Sequence, residues 1–230
     1  MRKGKWFVWQ AALRIGATVS TSGSAPGYIA RMKLRLLTPV EKPLAARIIA
    51  SGMVDDPVQR SIHGPDVSAR LRGMELAFGA TLLETERPTL GAWEDGELLG
   101  AATYGPPGSC PLPEERREAL SQAVADLPLP AHENFHAWRA NWGAHDPAEP
   151  HWHLGPFAVR ADAQARGIGS RLLVAFLELV DKHEGTAYLE TDTARNVRFY
   201  ERFGFEPAGR DEVLGVECTF MSRRPTISRP

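Results

Sequence analysis

The chain has 230 residues, of which 43% are hydrophobic and 24% are charged, and its formal net charge is -1. A chain of this length buries one sizeable core, and its balanced charge gives no concentrated cationic surface, so we expect no nucleic-acid partner. The two cysteines, Cys110 and Cys218, are too few for a disulfide scaffold and lack the paired spacing of a thiolate zinc site, which favours a cytoplasmic protein.

The first 31 residues carry basic side chains and no acidic one. Their apolar run is interrupted by Gln10 and Arg14, so it is too short for a secretory or membrane-spanning segment, and we expect no membrane association. Residues 18–27 are rich in Ser, Gly and Thr, a composition typical of disorder. We therefore predict a disordered extension over residues 1–31 and a single domain over residues 32–230.

After the extension the pattern alternates between strand and helix. An apolar run at residues 34–37 predicts a strand, and the spacing of apolar residues predicts helices near residues 44–53 and within residues 66–85. Two strand-like runs, at residues 89–93 and 97–104, flank an Asp-Gly turn, which is a strong hairpin signal. The first half of the chain therefore predicts a strand, two helices and an antiparallel hairpin.

Residues 105–150 interrupt this pattern. They are rich in Pro at both ends, and they contain two helical stretches, near residues 114–124 and 133–142. This pattern is typical of an insertion in the domain and not of a separate domain.

The last part of the chain returns to alternation. A strand candidate at residues 153–160 is followed by a glycine loop and by a helix with one apolar face, which begins near Ile168. Another strand starts at Tyr188, and a short helix over residues 194–203 ends before Gly204, where glycine suits a helix C-cap. The remaining tail is long enough for two final strands.

The glycine loop has the sequence Gln-Ala-Arg-Gly-Ile-Gly at residues 164–169 and joins a strand to a helix. Such a junction directs unpaired backbone N–H groups and the positive end of the helix dipole to one point, which suits a phosphate group. No Lys-Ser/Thr pair follows the loop, as a P-loop requires, and the three spaced glycines of a dinucleotide fold are missing. The spacing alone leaves a phosphate site and a simple tight connection equally open.

Residues 164–169 resemble the Gln/Arg-x-x-Gly-x-Gly/Ala pattern of the GNAT superfamily of acyl-CoA-dependent N-acetyltransferases, and they match it at every fixed position. A second motif, Asn-Val-Arg-Phe-Tyr-Glu-Arg-Phe-Gly-Phe at residues 196–205, is similar to the late helix of the same superfamily. With Leu-Glu-Thr-Asp at residues 189–192, the C-terminal half looks closest to small-molecule enzymes of the puromycin N-acetyltransferase type. The resemblance covers residues 150–222 well and gives no support to the insertion.

The resemblance implies an α/β (α+β) fold. Its centre is a mixed, strongly twisted sheet of about six to seven strands flanked by helices, with a V-shaped splay between the fourth and fifth strands. It also implies an N-acetyltransferase that uses acetyl-CoA as cosubstrate and acetylates a primary amine of a small molecule by direct attack. The expected assembly is a monomer or a homodimer.

In this superfamily the strand before the loop pairs with the pantetheine arm of CoA through its free backbone groups, and the loop N–H groups bind the pyrophosphate. On that resemblance we expect contacts with acetyl-CoA from Phe157, Ala158, Val159, Gln164, Ala165, Arg166, Gly167, Ile168, Gly169, Ser170 and Asn196. Asn196 departs from the commoner superfamily pattern, in which an Asn stands earlier, at the position that Thr193 occupies here.

Tyr200 occupies the superfamily position at which a phenol protonates the departing CoA thiolate. A thiol with a pKa of roughly 8–9 needs a nearby weak acid to leave as CoASH. The alternative is an aromatic residue that only packs an amphipathic helix. We expect Tyr200 to be the general acid.

More than one residue could act as the general base. Direct attack requires a neutral amine, so a carboxylate or a histidine must remove the ammonium proton. His151 and His153 alternate onto one face of the strand before the loop, and Glu190 lies near the end of the next strand. We take His153 and Glu190 as the catalytic candidates, with a surface or structural role as the alternative for each.

The histidines between residues 132 and 153 invite a metal hypothesis, since His132 and His136 share a predicted helical face. No third ligand with metal-site spacing accompanies them, so we expect no metal. The alternative to an enzyme is a non-catalytic acyl-CoA-binding sensor, because a fold does not determine a function. The acceptor amine is not readable, since the early helices and the insertion carry no motif.

Overall fold

The computed structural model describes residues 32–225, and the predicted disordered extension lies outside them. Strands in this part of the chain are β1 (Lys33–Leu36), β2 (Thr89–Glu94), β3 (Glu97–Gly105), β4 (Trp152–Val159), β5 (Ala187–Thr191), β6 (Glu206–Val213) and β7 (Val216–Arg223). Its α-helices are α1 (Lys42–Gly52), α2 (Pro57–His63), α3 (Val67–Glu84), α4 (Glu114–Ala123), α5 (Ala131–Ala144), α6 (Ile168–Lys182) and α7 (Ala194–Glu201). Within the described residues, no helix combines the length and the apolar composition needed to cross a bilayer.

The strands form one sheet in the order β1-β2-β3-β4-β5-β7-β6. Neighbouring strands are antiparallel except β4 and β5, which are parallel. A parallel pair needs a crossover connection, and α6 supplies it. The predicted mixed sheet flanked by helices is confirmed.

The parallel pair is short. Trp152 lies opposite Ala187 and His153 lies opposite Tyr188, and after these two positions β4 continues beside β3 alone. The two strands therefore separate, which confirms the predicted splay between the fourth and fifth strands.

Both faces of the sheet are covered. Successive residues of a strand point to opposite faces, and Leu98 and Leu99 accordingly belong to different hydrophobic clusters, as do Ala101 and Ala102. The β2–β3 register shifts between Leu98 and Gly100, which places Leu98 in the same cluster as Ala101. Helices α1 to α5 contribute to the first cluster, and α6 and α7 contribute to the second. A strand buried on both sides is expected to be mostly apolar, and after the exposed Glu97 only Thr103 and the hydroxyl of Tyr104 are polar among the side chains of β3.

The local sequence signals place most of these elements correctly. In the β2–β3 turn, Asp95 and Gly96 have φ angles of 48° and 86°, as a two-residue hairpin turn requires. Helix α6 buries one face, which includes Ile168, Leu172 and Phe176. Helix α2 was not predicted, because seven residues are too few to show a helical period.

The helices of the insertion are part of the main core. Leu120 and Val124, at the end of α4, and Phe135 and Trp138 of α5 share a hydrophobic cluster with α1 and α3. The insertion thereby forms a wall beside the cleft that opens between β4 and β5, and it brings its own polar residues to that cleft.

Candidate active site

The separation of β4 from β5 opens a cavity of about 1080 Å³. Phe157, Ala158 and Val159 line it from β4. They lie along the stretch of β4 that pairs with β3 on one side, and no strand among residues 32–225 pairs with the other side. The three β4 residues predicted to contact a cofactor thus share one free strand edge.

The glycine loop lies at the C-terminal end of β4. Gly167 has a φ of 79° and is followed directly by α6, a left-handed conformation that glycine adopts without strain. Ala165 is also left-handed, with a φ of 61°, at a cost of about 1–2 kcal/mol. The first N–H groups of a helix have no partner inside it, and residues 167–170 line the cavity. The loop therefore presents N–H donors and the positive end of the α6 dipole to the cavity.

Two side chains of the loop are already bound by the protein. Nε2 of Gln164 donates to the carbonyl oxygens of Gly52, at 3.3 Å, and Val159, at 3.2 Å. Arg166 forms an ion pair with Glu94 at 2.5 Å, and it does not line the cavity. Gln164 thus ties the loop to the ends of α1 and β4, and Arg166 ties it to the end of β2.

Tyr200 lines the cavity from α7 and is 7% exposed. Its ring packs against three phenylalanine rings, at centroid distances of 6.4 Å (Phe157), 5.2 Å (Phe199) and 5.7 Å (Phe205). Burial raises the pKa of the phenol above its usual value, and the negative charges of Asp56 and Glu190 raise it further. Tyr200 is therefore protonated at neutral pH and able to donate.

Asn196 lies one turn before Tyr200 on α7 and lines the same cavity. Its backbone N–H donates to Oγ1 of Thr193 at 3.2 Å, so Thr193 is the N-cap of α7. Thr193, which stands where the superfamily commonly has an Asn, thus caps the helix that carries Tyr200.

A charged cluster lies at the N-terminal end of β4. Nε2 of His153 is 3.0 Å from Oε2 of Glu190, so the two predicted base candidates are in direct contact. Nδ1 of the same ring lies 3.2 Å from Sγ of Cys110 and 3.3 Å from Oδ1 of Asp146. Both ring nitrogens of His153 therefore face polar partners, which leaves neither one free toward the cavity.

Burial opposes ionisation in this cluster, but the partners within it outweigh burial. The pKa of His153 is raised well above its usual value by the charge of Glu190 and by its close contacts with Asp146, Cys110 and Glu190. The neighbouring rings of His151 and His153 lower the pKa of Cys110 to about 6 despite its burial. The cluster is therefore a network of charges at neutral pH.

Asp56 is a further titratable group in the cavity and lies in the link between α1 and α2. Burial raises the pKa of Asp56 to about 7; the charges of Asp192 and Asp55 add to the effect, and Arg195 opposes it. Asp192 follows β5 and accepts a hydrogen bond from the backbone N–H of Val58 at 2.8 Å. This contact holds the link beside the end of β5.

Sequence reasoning missed Asp56, Cys110, Asp146 and Arg139, all of which line the cavity. None of them belongs to a motif, and each reaches the cavity from a connecting segment or from the insertion. Of these four, only Cys110 could have been noticed in the sequence, as one of two cysteines. Its contact with His153 could not be predicted, because the two residues are 43 positions apart.

The comparisons with known proteins agree on one family. The model of the acetyltransferase (GNAT) family matches residues 58–205, which is more than half of the chain. The predicted resemblance is thereby confirmed.

Solved structures of acetyltransferases share the fold. The structure of histone acetyltransferase HPA2 and related acetyltransferase from Corynebacterium glutamicum aligns with a TM-score of 0.63 and 19% identity, covering 87% of this chain and 99% of that one. Drosophila melanogaster polyamine N-acetyltransferase aligns with a TM-score of 0.57 and 13% identity, over 84% of this chain and 99% of that one. The ribosomal-protein-S18-alanine N-acetyltransferase of Escherichia coli aligns with a TM-score of 0.51 and 14% identity, over 86% of this chain and 96% of that one. At these identities the likeness concerns the fold alone.

Proposed function

The chain belongs to the acetyltransferase (GNAT) family, and from this premise we propose that it transfers the acetyl group of acetyl-CoA to the primary amine of a small molecule. One observation carries the proposal: the free edge of β4, the start of α6 and the phenol of Tyr200 all line a single cavity. Its volume of about 1080 Å³ exceeds the roughly 300–1,000 Å³ of ordinary small-molecule sites, which supports a site for two substrates. Family membership favours the enzyme over the acyl-CoA-binding sensor.

In this proposal acetyl-CoA lies along β4. Successive residues of a strand direct their backbone groups to alternate sides, so Phe157 and Val159 turn theirs away from β3, and Gln164 already binds the carbonyl of Val159. The groups that remain free on this edge pair with the amides of the pantetheine arm, as a sheet edge pairs with an added strand. The pyrophosphate lies against residues 165–170, where the N–H groups and the helix dipole favour an anion. Gln164 keeps the loop in place, and Asn196 borders the arm from α7.

The acceptor amine approaches through the part of the cavity that is rich in carboxylates. Asp56, Asp146, Glu190 and Asp192 all line it. Five arginines line the same cavity, Arg87, Arg117, Arg139, Arg195 and Arg202, so the lining as a whole has no excess of negative charge. The carboxylates are suited to pair with the ammonium group of the acceptor before its proton is removed.

The transfer is a direct attack in which one bond forms as another breaks. The neutral amine nitrogen attacks the thioester carbonyl carbon, the C–N bond forms, and the C–S bond breaks with its electron pair on sulfur. Tyr200 donates its phenolic proton to that thiolate, which leaves as CoASH. The proton released by the amine passes to the base and returns to the phenol through solvent.

We assign the base role to Asp56. A base is most effective when its pKa is close to the working pH, and the pKa of Asp56 is about 7. Glu190 and His153 are bound to each other, and both ring nitrogens of His153 face partners. In this proposal the Glu190–His153 pair sets the charge at the acceptor end and helps to position the amine.

The proposal is tested by measuring the release of free thiol from acetyl-CoA with a panel of amines. The panel contains polyamines, amino acids, aminoglycosides and a short peptide with a free N-terminus. We expect thiol release with at least one of the small amines, in equal amount to the acetylated amine found by mass spectrometry. Thiol release with none of them would contradict the proposal, and release with the peptide alone would reject a small-molecule acceptor.

Gly169→Glu tests the loop assignment. A Cβ at Gly169 meets Phe157 and Val159 at 3.6 Å, an ordinary contact, whereas a carboxylate beside the start of α6 repels the pyrophosphate and fills its site. We expect Gly169→Glu to remove measurable CoA binding in calorimetry, while the matched variant Gly169→Ala binds within a few fold of the wild type. Equal CoA affinity of the glutamate variant would refute this placement of the cofactor.

Tyr200→Phe tests the general acid. The ring and its packing are kept while the proton donor is lost, so we expect kcat to fall by about 10²- to 10⁴-fold with the Kd for CoA almost unchanged. Tyr104→Phe is the control, because Tyr104 is also buried but does not line the cavity. Wild-type turnover in Tyr200→Phe would remove the acid assignment.

Asp56→Asn tests the base through pH dependence. Because Asp56 accepts a proton only when ionised, we expect kcat/KM of the wild type to rise as pH increases through about 7. The asparagine variant should lose this rise of kcat/KM with pH and most of its rate. Asp55→Asn removes a neighbouring charge that raises the pKa of Asp56, so in this variant the rise should occur at slightly lower pH and reach the same maximal rate. If kcat/KM of Asp56→Asn rose with pH as in the wild type, Asp56 would be excluded as the base.

A further inference from the structure

A group of potential metal ligands lies at the N-terminal end of β4. Cys110, Asp146, His151 and His153 each offer one ligand atom, and these four atoms lie within 4.8 Å of one another. The sequence predicts no metal, because its histidines lack a third ligand at metal-site spacing. The fold supplies that ligand, since it brings Cys110 to a histidine 43 positions later in the chain.

We propose that Cys110, Asp146, His151 and His153 bind one divalent transition-metal ion, for which Zn²⁺ is the best fit. A thiolate, two imidazoles and a carboxylate form the kind of mixed sulfur, nitrogen and oxygen set that zinc takes in tetrahedral sites. Ca²⁺ and Mg²⁺ prefer oxygen ligands alone. Four protein ligands leave no open position, as in structural rather than catalytic zinc sites.

The second nitrogen of each histidine is already held. Nδ1 of His151 lies 2.9 Å from the carbonyl oxygen of Glu149, so that nitrogen carries the hydrogen and Nε2 keeps a lone pair. Nε2 of His153 lies 3.0 Å from Glu190, which leaves Nδ1 for a metal. Metal-binding histidines are usually oriented in this way, by a carbonyl or a carboxylate on the other nitrogen.

Two atoms of the cluster have no hydrogen-bond partner. Nε2 of His151 and Oδ1 of Asp146 are buried and form no hydrogen bond of normal geometry, and His151 is only 4% exposed. A proton on Nδ1 of His153 can be donated to the sulfur of Cys110 or to Asp146, but it cannot serve His151. A single metal ion satisfies all four atoms at once, and this is why we favour it.

Arg87 is the competing source of positive charge. Its Nη2 lies 3.0 Å from Sγ of Cys110, so it stabilises the thiolate. The guanidinium does not provide a partner for Nε2 of His151 or Oδ1 of Asp146. A thiolate that binds zinc can also accept an N–H hydrogen bond, so Arg87 fits as an outer partner of the site.

The site joins two parts of the chain. Cys110 and Asp146 belong to the insertion over residues 105–150, whereas His151 directly precedes β4 and His153 is its second residue. A bound ion therefore fixes the ends of the insertion to the sheet, beside the part of the cavity assigned to the acceptor. Its loss should raise the KM for the amine more than the Kd for CoA.

Metal binding is tested on the full chain without substrates. Protein expressed with added zinc and dialysed against metal-free buffer should retain about one Zn²⁺ per chain by elemental analysis. After chelation, Co²⁺ should restore the site with a thiolate-to-cobalt charge-transfer band and the strong visible bands of tetrahedral coordination. Zn²⁺ should also protect Cys110 of the wild type from alkylation, as mapped by peptide mass spectrometry.

Matched variants identify the ligands. Cys110→Ser should remove the charge-transfer band, and His151→Gln should weaken Zn²⁺ binding by at least about 10-fold. Cys218→Ser and His132→Gln, which lie outside the four residues, should keep both signals.

Wild-type protein that neither retains Zn²⁺ nor binds Co²⁺, or a charge-transfer band that survives in a folded Cys110→Ser, would overturn the site. Should the Cys110 and His151 variants fail to fold, the alkylation of wild-type Cys110 decides, because equal labelling with and without Zn²⁺ also overturns it. A negative result leaves the acetyl-transfer proposal standing, since that is tested by thiol release.

Discussion

The contact between β4 and β5 is limited to two facing positions, Trp152 with Ala187 and His153 with Tyr188. Past that point β4 has β3 on one side only. Backbone N–H and C=O groups on a free strand edge must be satisfied by water, protein or a ligand, and an edge in the middle of a sheet is an uncommon place to leave them. The separation of these two strands creates both the free edge and the cavity beside it, so the rest of the site depends on it.

The same strand pair explains why the functional residues meet. A parallel neighbour requires a crossover helix, so α6 must begin at the C-terminal end of β4, and its first N–H groups face the opening. The C-terminal end of β5 lies at the same edge of the sheet, where ligands bind in open α/β sheets. Asp192 and the helix that carries Tyr200 follow β5 directly. The loop and the phenol, separated in sequence by a helix and a strand, are thus brought to one cavity.

The N-terminal end of β4 faces a different physical problem. His153, Glu190, Asp146 and Cys110 place several charges in a largely buried space, and burying a charge is costly unless it is paired. The insertion contributes two of these four residues. A thiolate, a carboxylate and an imidazolium around one point compensate each other in part, and the proposed metal ion would also give Nε2 of His151 a partner.

The sequence by itself determined the elements whose causes are local. The Asp95-Gly96 turn, the loop at residues 164–169 and the short helix that ends before Gly204 depend on residues close together in the chain, and each is where the pattern predicts it. The placement of Asp56 beside Asp192, the contact of Cys110 with the β4 histidines and the pKa values of these groups were decided by the tertiary structure alone. A pKa follows from burial and from neighbouring charges, and both arise only when the insertion, the α1–α2 link and the separated strands pack together.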